Sequence, residues 1–182
     1  MKIMYIHGFG SKFDESNPKV IALKELGEVV GCDIDYTQSI TTITEQLKNF
    51  IIKNKIDLLV GCSMGGFYAN RLSHVFKGLP NVMLNPAIEP NITLAKLKLE
   101  YLPKYLIQSY KDKFQKSGTG LLIVETGDEL IDANDTFKKI GSKFTSYKFS
   151  GGNHRFENIK KAMPLIKSYF DAVENVNGLH ND

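Results

Sequence analysis

The stretch Leu58-Leu59-Val60-Gly61-Cys62-Ser63-Met64-Gly65-Gly66-Phe67 runs out of an apolar segment into a serine fenced by glycines. Gly61-Cys62-Ser63-Met64-Gly65 satisfies G-x-S-x-G, with an apolar run before it and a helix-patterned segment after it. In that context the motif forms a sharp strand-to-helix turn, a nucleophile elbow with the serine Oγ at its apex. Small neighbours are a steric requirement there, because the apex backbone is strained and Cβ atoms collide where strand and helix meet. Gly66 adds room, and the helix N-terminus under Ser63 aims N–H groups at developing negative charge. A plain strand–loop–helix junction uses the same residue types, so the rest of the chain has to separate the two readings.

Working outward, short apolar runs recur at Lys2–Ile6, Cys32–Tyr36, Ile56–Gly61, Asn81–Asn85, Leu121–Glu125 and Phe144–Phe149. Helix-patterned segments lie between them. Asn17 can cap a helix with Pro18 at its first position and Gly27 at its end. Thr42 and Glu45 have capping-box spacing ahead of Leu47, Phe50 and Ile51. Ser63–Phe76 reads as a helix, and Asp132 or Asn134 can cap a short one stopped by Gly141. A last helix is expected over Phe156–Val173, divided by Pro164. Strands alternating with helices require right-handed crossovers and a parallel sheet covered on both faces. The expectation is an α/β protein, one doubly wound domain over residues 1–175 with about six parallel strands, followed by a polar C-terminal tail at 176–182.

The segment 87–120 breaks the rhythm, separating two strands by a long stretch. Leu94, Leu97, Leu99, Leu102, Tyr105, Leu106 and Tyr110 give it an apolar face, with lysines between them. It reads as a long crossover, helix–Pro103–helix, packed on the sheet, or as a small helical lid over a pocket. Both can hold together.

With 182 residues, 42% apolar content and a net charge of +3, the chain fits a single globular domain. Its lysines are scattered among Glu and Asp, so no nucleic-acid partner is expected. The apolar start Met1–Gly8 is too short for a signal peptide, and no stretch approaches the ~20 apolar residues that span a bilayer. Cys32 and Cys62 alone do not suggest a disulfide framework, and reduced thiols without an export signal point to the cytoplasm.

A serine hydroxyl needs a base. His180 lies in the polar tail, His74 sits about three turns down the helix after Ser63, and His7 ends the first strand. His154, in Ser150-Gly151-Gly152-Asn153-His154-Arg155-Phe156, follows the last strand on a glycine loop, which puts it on the same rim of the sheet as Ser63. The base needs a carboxylate to hold its tautomer. Asp128, Glu129 and Asp132 follow the fifth strand; Asp128 stands at the strand exit, whereas Asp132 is placed to cap a helix. Ser63, Asp128, His154 is the chain order of α/β-hydrolase triads. An oxyanion hole would take one N–H from Met64 and another from His7-Gly8-Phe9-Gly10-Ser11, with Phe9 as donor or Gly10 as the alternative. Cys62, before the apex, is expected to point away from the pocket.

The blocks "YIHGFGS", "VGCSMGGFYA", "MLNPAIEP", "VETGDELID" and "SGGNHRF" together resemble the YqiA-like esterases, a bacterial branch of the α/β-hydrolase superfamily. The resemblance covers the chain from His7 to the helix after His154, and its specificity lies in five blocks in order. It implies a trimmed hydrolase sheet and cleavage of small carboxylic esters with short acyl chains, with no cofactor and no metal. Ser63 would be the nucleophile, His154 the base, Asp128 the acid, and Phe9 and Met64 would frame the oxyanion. Thioesters or small amides would use the same residues, and a binding protein could keep the geometry without turnover. The chain departs from the family around Glu89, where a basic residue is expected after "NPA", which bears on substrate choice.

Overall fold

The apolar runs assemble into a parallel sheet in a computed structural model that describes residues 1–178. In chain order the elements are β1 (Lys2–Ile6), α1 (Pro18–Leu23), β2 (Glu28–Val30), α2 (Ile40–Asn54), β3 (Leu58–Cys62), α3 (Met64–Val75) and β4 (Asn81–Leu84). They continue with α4 (Pro90–Lys96), α5 (Lys104–Ser109), β5 (Leu121–Glu125), α6 (Ala133–Ile140), β6 (Thr145–Phe149) and α7 (Ile159–Gly178). The strand order is β2-β1-β3-β4-β5-β6, with every neighbouring pair parallel.

Alternate side chains of a strand point to opposite faces, and here both faces are covered, which is why the inner runs are apolar throughout. Met4, Ile6, Leu59, Met83, Leu122 and Val124 pack with α2, α3 and the 87–120 segment. Ile3, Tyr5, Val60, Val82, Leu84 and Ile123 pack with α1 and α7. The chain reverses its direction of strand addition between β1 and β3. In an open parallel sheet that switch opens a crevice at the strands' C-terminal ends. Ser63 follows β3, and the His7–Ser11 loop follows β1.

The structure differs from the sequence reading in several elements. The second strand is Glu28–Val30, not Cys32–Tyr36. Ile34 and Tyr36 are apolar and buried because they pack beneath the β1 loop, where their backbone N–H and hydroxyl bond His7. Helix α2 starts earlier, because Ser39 rather than Thr42 is the N-cap and its Oγ accepts the Thr42 N–H at 3.1 Å. Pro164 does not divide α7. The carbonyl it leaves unbonded belongs to exposed Lys160, where water can satisfy it. Helix α7 also runs to Gly178, so residues 176–178 are helical, while the rest of the expected tail, with His180, lies outside the described residues.

In the 87–120 segment Pro90 opens α4 and Pro103 precedes α5. Leu94, Leu102, Leu106, Tyr110 and Phe114 are buried in the core. Tyr110 stacks edge-on to Phe67 with centroids 5.5 Å apart, and its hydroxyl meets that of Tyr68 at 3.0 Å. Tyr105, grouped by sequence with that apolar face, is instead 78% exposed.

Candidate active site

The turn after β3 is as tight as its glycines require. Ser63 has φ 54° and ψ −118°, a region that costs a non-glycine residue about 1–3 kcal/mol. A Cβ on Gly61 would overlap the Gly65 carbonyl, and one on Gly65 would overlap the Ile6 carbonyl of β1. The strained apex is held by its neighbours: Ser63 N–H donates to Leu84 O at 3.0 Å, and Ser63 O accepts from Gly66, Phe67 and Ala87.

The loops after β5 and β6 bring the two other side chains to this apex. His154 Nε2 lies 3.0 Å from Ser63 Oγ. His154 Nδ1 lies 3.0 Å from both carboxylate oxygens of Asp128, whose side chain is 1% exposed. Asp128 Oδ1 also accepts from the N–H groups of Leu130 and Ile131, each at 2.8 Å, which fixes the carboxylate before histidine arrives. The carboxylate can only accept at Nδ1, so Nδ1 carries the proton and Nε2 is free to accept from the serine hydroxyl. Asp132 caps α6 instead, accepting from Asn134 and Asp135 at 2.8 and 3.0 Å. His74 faces the carbonyls of Asn70 and Ser117, remote from this chain of contacts.

Sequence reasoning missed the residues that hold the His154 loop. Glu125, fully buried at the end of β5, accepts at Oε2 from the N–H groups of Asn153 and Glu157 and at Oε1 from Asn158 N–H and its side-chain amide. Gly152, at φ 73°, leaves space for that carboxylate, which a Cβ there would overlap. Glu129 accepts the His154 N–H at 3.0 Å, and that bond holds its carboxyl below the usual range. Asn85, in the left-handed region at φ 43°, joins β4 to this assembly by accepting from Glu125 N–H and donating to Asn153 O. The available signal was a charged residue closing an otherwise apolar buried strand, Leu121–Glu125.

On the β1 side, Gly8 lies against Ser63: a Cβ on this glycine would stand 3.3 Å from the serine Cβ and 3.8 Å from its Oγ. Neither the Phe9 nor the Met64 N–H meets an acceptor among the described residues, and Gly10 sits at φ 69° beside them. The loop is braced from below. His7 Nδ1 donates to Gly8 O at 2.8 Å, its Nε2 accepts Ile34 N–H at 3.0 Å, and Tyr36 O–H donates to His7 O. Burial lowers the His7 pKa, in keeping with a neutral ring whose two nitrogens are both used.

A cavity of about 390 Å³ opens beside Ser63 and His154, lined by the β1 loop, Tyr5, Asn17, Lys19, Cys62 and Arg155, with no lining residue from 87–120. Cys62 therefore borders the cavity, contrary to the sequence expectation, because its strand position faces the α1–α7 side on which the cavity lies. Burial pushes its thiol up to about 11, which keeps it protonated and unreactive. A hollow of about 590 Å³ near Gly120, Thr145 and Tyr169 lies at the opposite ends of β5 and β6.

Comparison with known proteins agrees with this architecture. The model of a family described as "Uncharacterised protein family (UPF0227)" matches residues 2–171. A UPF0227 protein of Vibrio parahaemolyticus is 23% identical over 181 residues, covering 92% of this chain and 98% of the relative. One from Yersinia pseudotuberculosis is 22% identical, covering 92% and 97%. Among solved structures, Est1E from Butyrivibrio proteoclasticus superposes with TM-score 0.75 at 13% identity, over 96% of this chain and 88% of that one. Alpha/beta hydrolase domain-containing protein 10 from mouse gives 0.73 at 14% identity, over 94% and 90%. A Paleococcus ferrophilus monoacylglycerol lipase gives 0.71 at 16%, over 94% of each chain.

Proposed function

The chain belongs to the UPF0227 family and has the α/β-hydrolase fold, and from that premise we propose that it is a serine hydrolase of small carboxylic esters. The observation that carries the reading is the unbroken hydrogen-bonded chain from Asp128 through His154 to Ser63. Solved structures of similar fold include a monoacylglycerol lipase, which supports ester chemistry without fixing the substrate.

Ser63 Oγ attacks the ester carbonyl while His154 Nε2 takes its proton, and Asp128 stabilises the imidazolium that forms. The tetrahedral oxyanion is met by the unoccupied N–H groups of Met64 and Phe9, each worth about 10²–10³ in rate where such donors have been removed. His154 then protonates the departing alcohol, and water repeats the sequence on the acyl-enzyme. Thioesters or small amides would engage the same groups, so the leaving group is a matter for assay. The test is labelling with a fluorophosphonate together with hydrolysis of p-nitrophenyl esters. Wild type should label and turn over, and Ser63→Ala should do neither while keeping its circular dichroism spectrum. An unlabelled, inactive wild type would leave a binding protein with hydrolase geometry.

A further inference from the structure

The cavity beside Ser63 is unusual in what its walls leave unanswered. Lys19 is only 8% exposed, yet its ammonium has no carboxylate partner among the described residues; its one protein acceptor is Arg155 O at 2.6 Å. A largely buried cation with no counter-charge in direct contact is costly, and a single carbonyl leaves two of its three N–H bonds unused. The carboxylates of Glu125 and Asp128 act with Lys19 on the Cys62 thiol and keep their charge, but their oxygens are turned to N–H donors and His154, and neither pairs with the Lys19 ammonium. Arg155, exposed on the same wall, is likewise without an ion-pair partner among the described residues.

Two further side chains of the wall, Tyr5 and Asn17, offer donors as well. Tyr5 is 2% exposed and lines the cavity, and its hydroxyl finds no protein partner among the described residues. Burial raises its pKa far above the ordinary phenol value, so it remains an O–H donor. The Asn17 carbonyl is used by Lys19 N–H, which leaves its amide N–H₂ for the cavity. No Asp or Glu among the described residues lines this space; Asp14 and Lys12 border only the adjoining surface hollow, and Asp14 is engaged by Ser16.

We propose that this cavity is an anion-recognition pocket, and that the substrate is an ester carrying a negatively charged group, such as a carboxylate, which Lys19, Arg155 and the Tyr5 hydroxyl receive while Ser63 attacks the carbonyl. The inference rests on the serine-hydrolase reading and narrows it to a substrate class. It also accounts for the unused N–H groups of the Lys19 ammonium, which the substrate's anion would take up.

Matched pairs of esters test it. The acyl arm compares mono-p-nitrophenyl glutarate with p-nitrophenyl pentanoate, and the alcohol arm compares 3-carboxyphenyl butyrate with phenyl butyrate. Expected is a kcat/KM at least about tenfold higher for the anionic member of one arm, weakening as salt is raised. In Lys19→Met that ratio should fall towards one, in Lys19→Arg it should persist, and in Arg155→Gln, an exposed position that does not threaten folding, it should drop part of the way. A purely structural Lys19, tying α1 to the His154 loop, would lower both members of a pair and leave their ratio unchanged; that outcome overturns the assignment. Equal rates for both members in both arms, in protein whose Ser63 labels with fluorophosphonate, overturn the anion pocket and leave the hydrolase. Absence of both labelling and turnover overturns the two together.

Discussion

Asp128 and Asp132 lie one helical turn apart in sequence and meet different neighbours, Asp128 the imidazole of His154 and Asp132 the first N–H groups of α6. Asp128→Asn should lower turnover by up to ~10⁴, the scale seen when a triad carboxylate can no longer hold its histidine. Asp132→Asn should leave steady-state kinetics near wild type, and even Asp132→Ala should cost only ~1 kcal/mol in denaturant unfolding, the worth of a cap. The reverse pattern would displace Asp128 from the site. His7 offers a residue-level test of pH. Its folded pKa lies below the ordinary 6.5, so the unfolded chain takes up the proton first. Its contribution to stability is complete above that value and is lost as pH falls through the window below it. The melting temperature of wild type should therefore drop more steeply between pH 7 and pH 5 than that of His7→Gln.

At the scale of elements, Glu125 turns two loops into one fitting. Its oxygens hold the backbone of Asn153, Glu157 and Asn158, while Gly127 N–H donates to Gly151 O at 2.8 Å and Thr126 N–H to Phe149 O at 2.9 Å. Replacing one carboxylate oxygen by an amide N–H₂ sets donor against donor, so Glu125→Gln should cost about 2–3 kcal/mol in urea unfolding. It should also lower kcat more than it raises KM, because the displaced element carries His154. Unchanged kcat in a destabilised variant would confine Glu125 to folding. The elbow glycines, Asn17 and Asp132 were legible in the sequence because each requirement is local: a steric limit or a cap spans a few residues. Glu125 and Lys19 were not, since their partners lie 28 to 33 and 136 residues away, and only the sheet order brings them together. Cys32–Tyr36 misled for the same reason, because burial under a loop and burial in a strand leave the same apolar trace.

At the scale of the whole molecule, the crevice at the β1–β3 switch receives groups from loops after β1, β3, β5 and β6, and its cavity of about 390 Å³ sits near the lower end for small-molecule sites. Within a neutral series, p-nitrophenyl ester hydrolysis should fall as the acyl chain lengthens, because a cavity of this size leaves little room for a long chain. Rates climbing steadily to dodecanoate would indicate an open groove instead. The positions of these groups along the chain also set when they appear during synthesis. Ser63 precedes His154 by 91 residues, an interval of roughly 5–20 s at ordinary translation rates. Throughout it the serine is an ordinary alcohol, and His154 arrives only behind β6, the edge strand that completes the sheet. On the serine-hydrolase reading, a stalled or prematurely terminated chain is chemically silent, and the ribosome releases the nucleophile before anything has armed it.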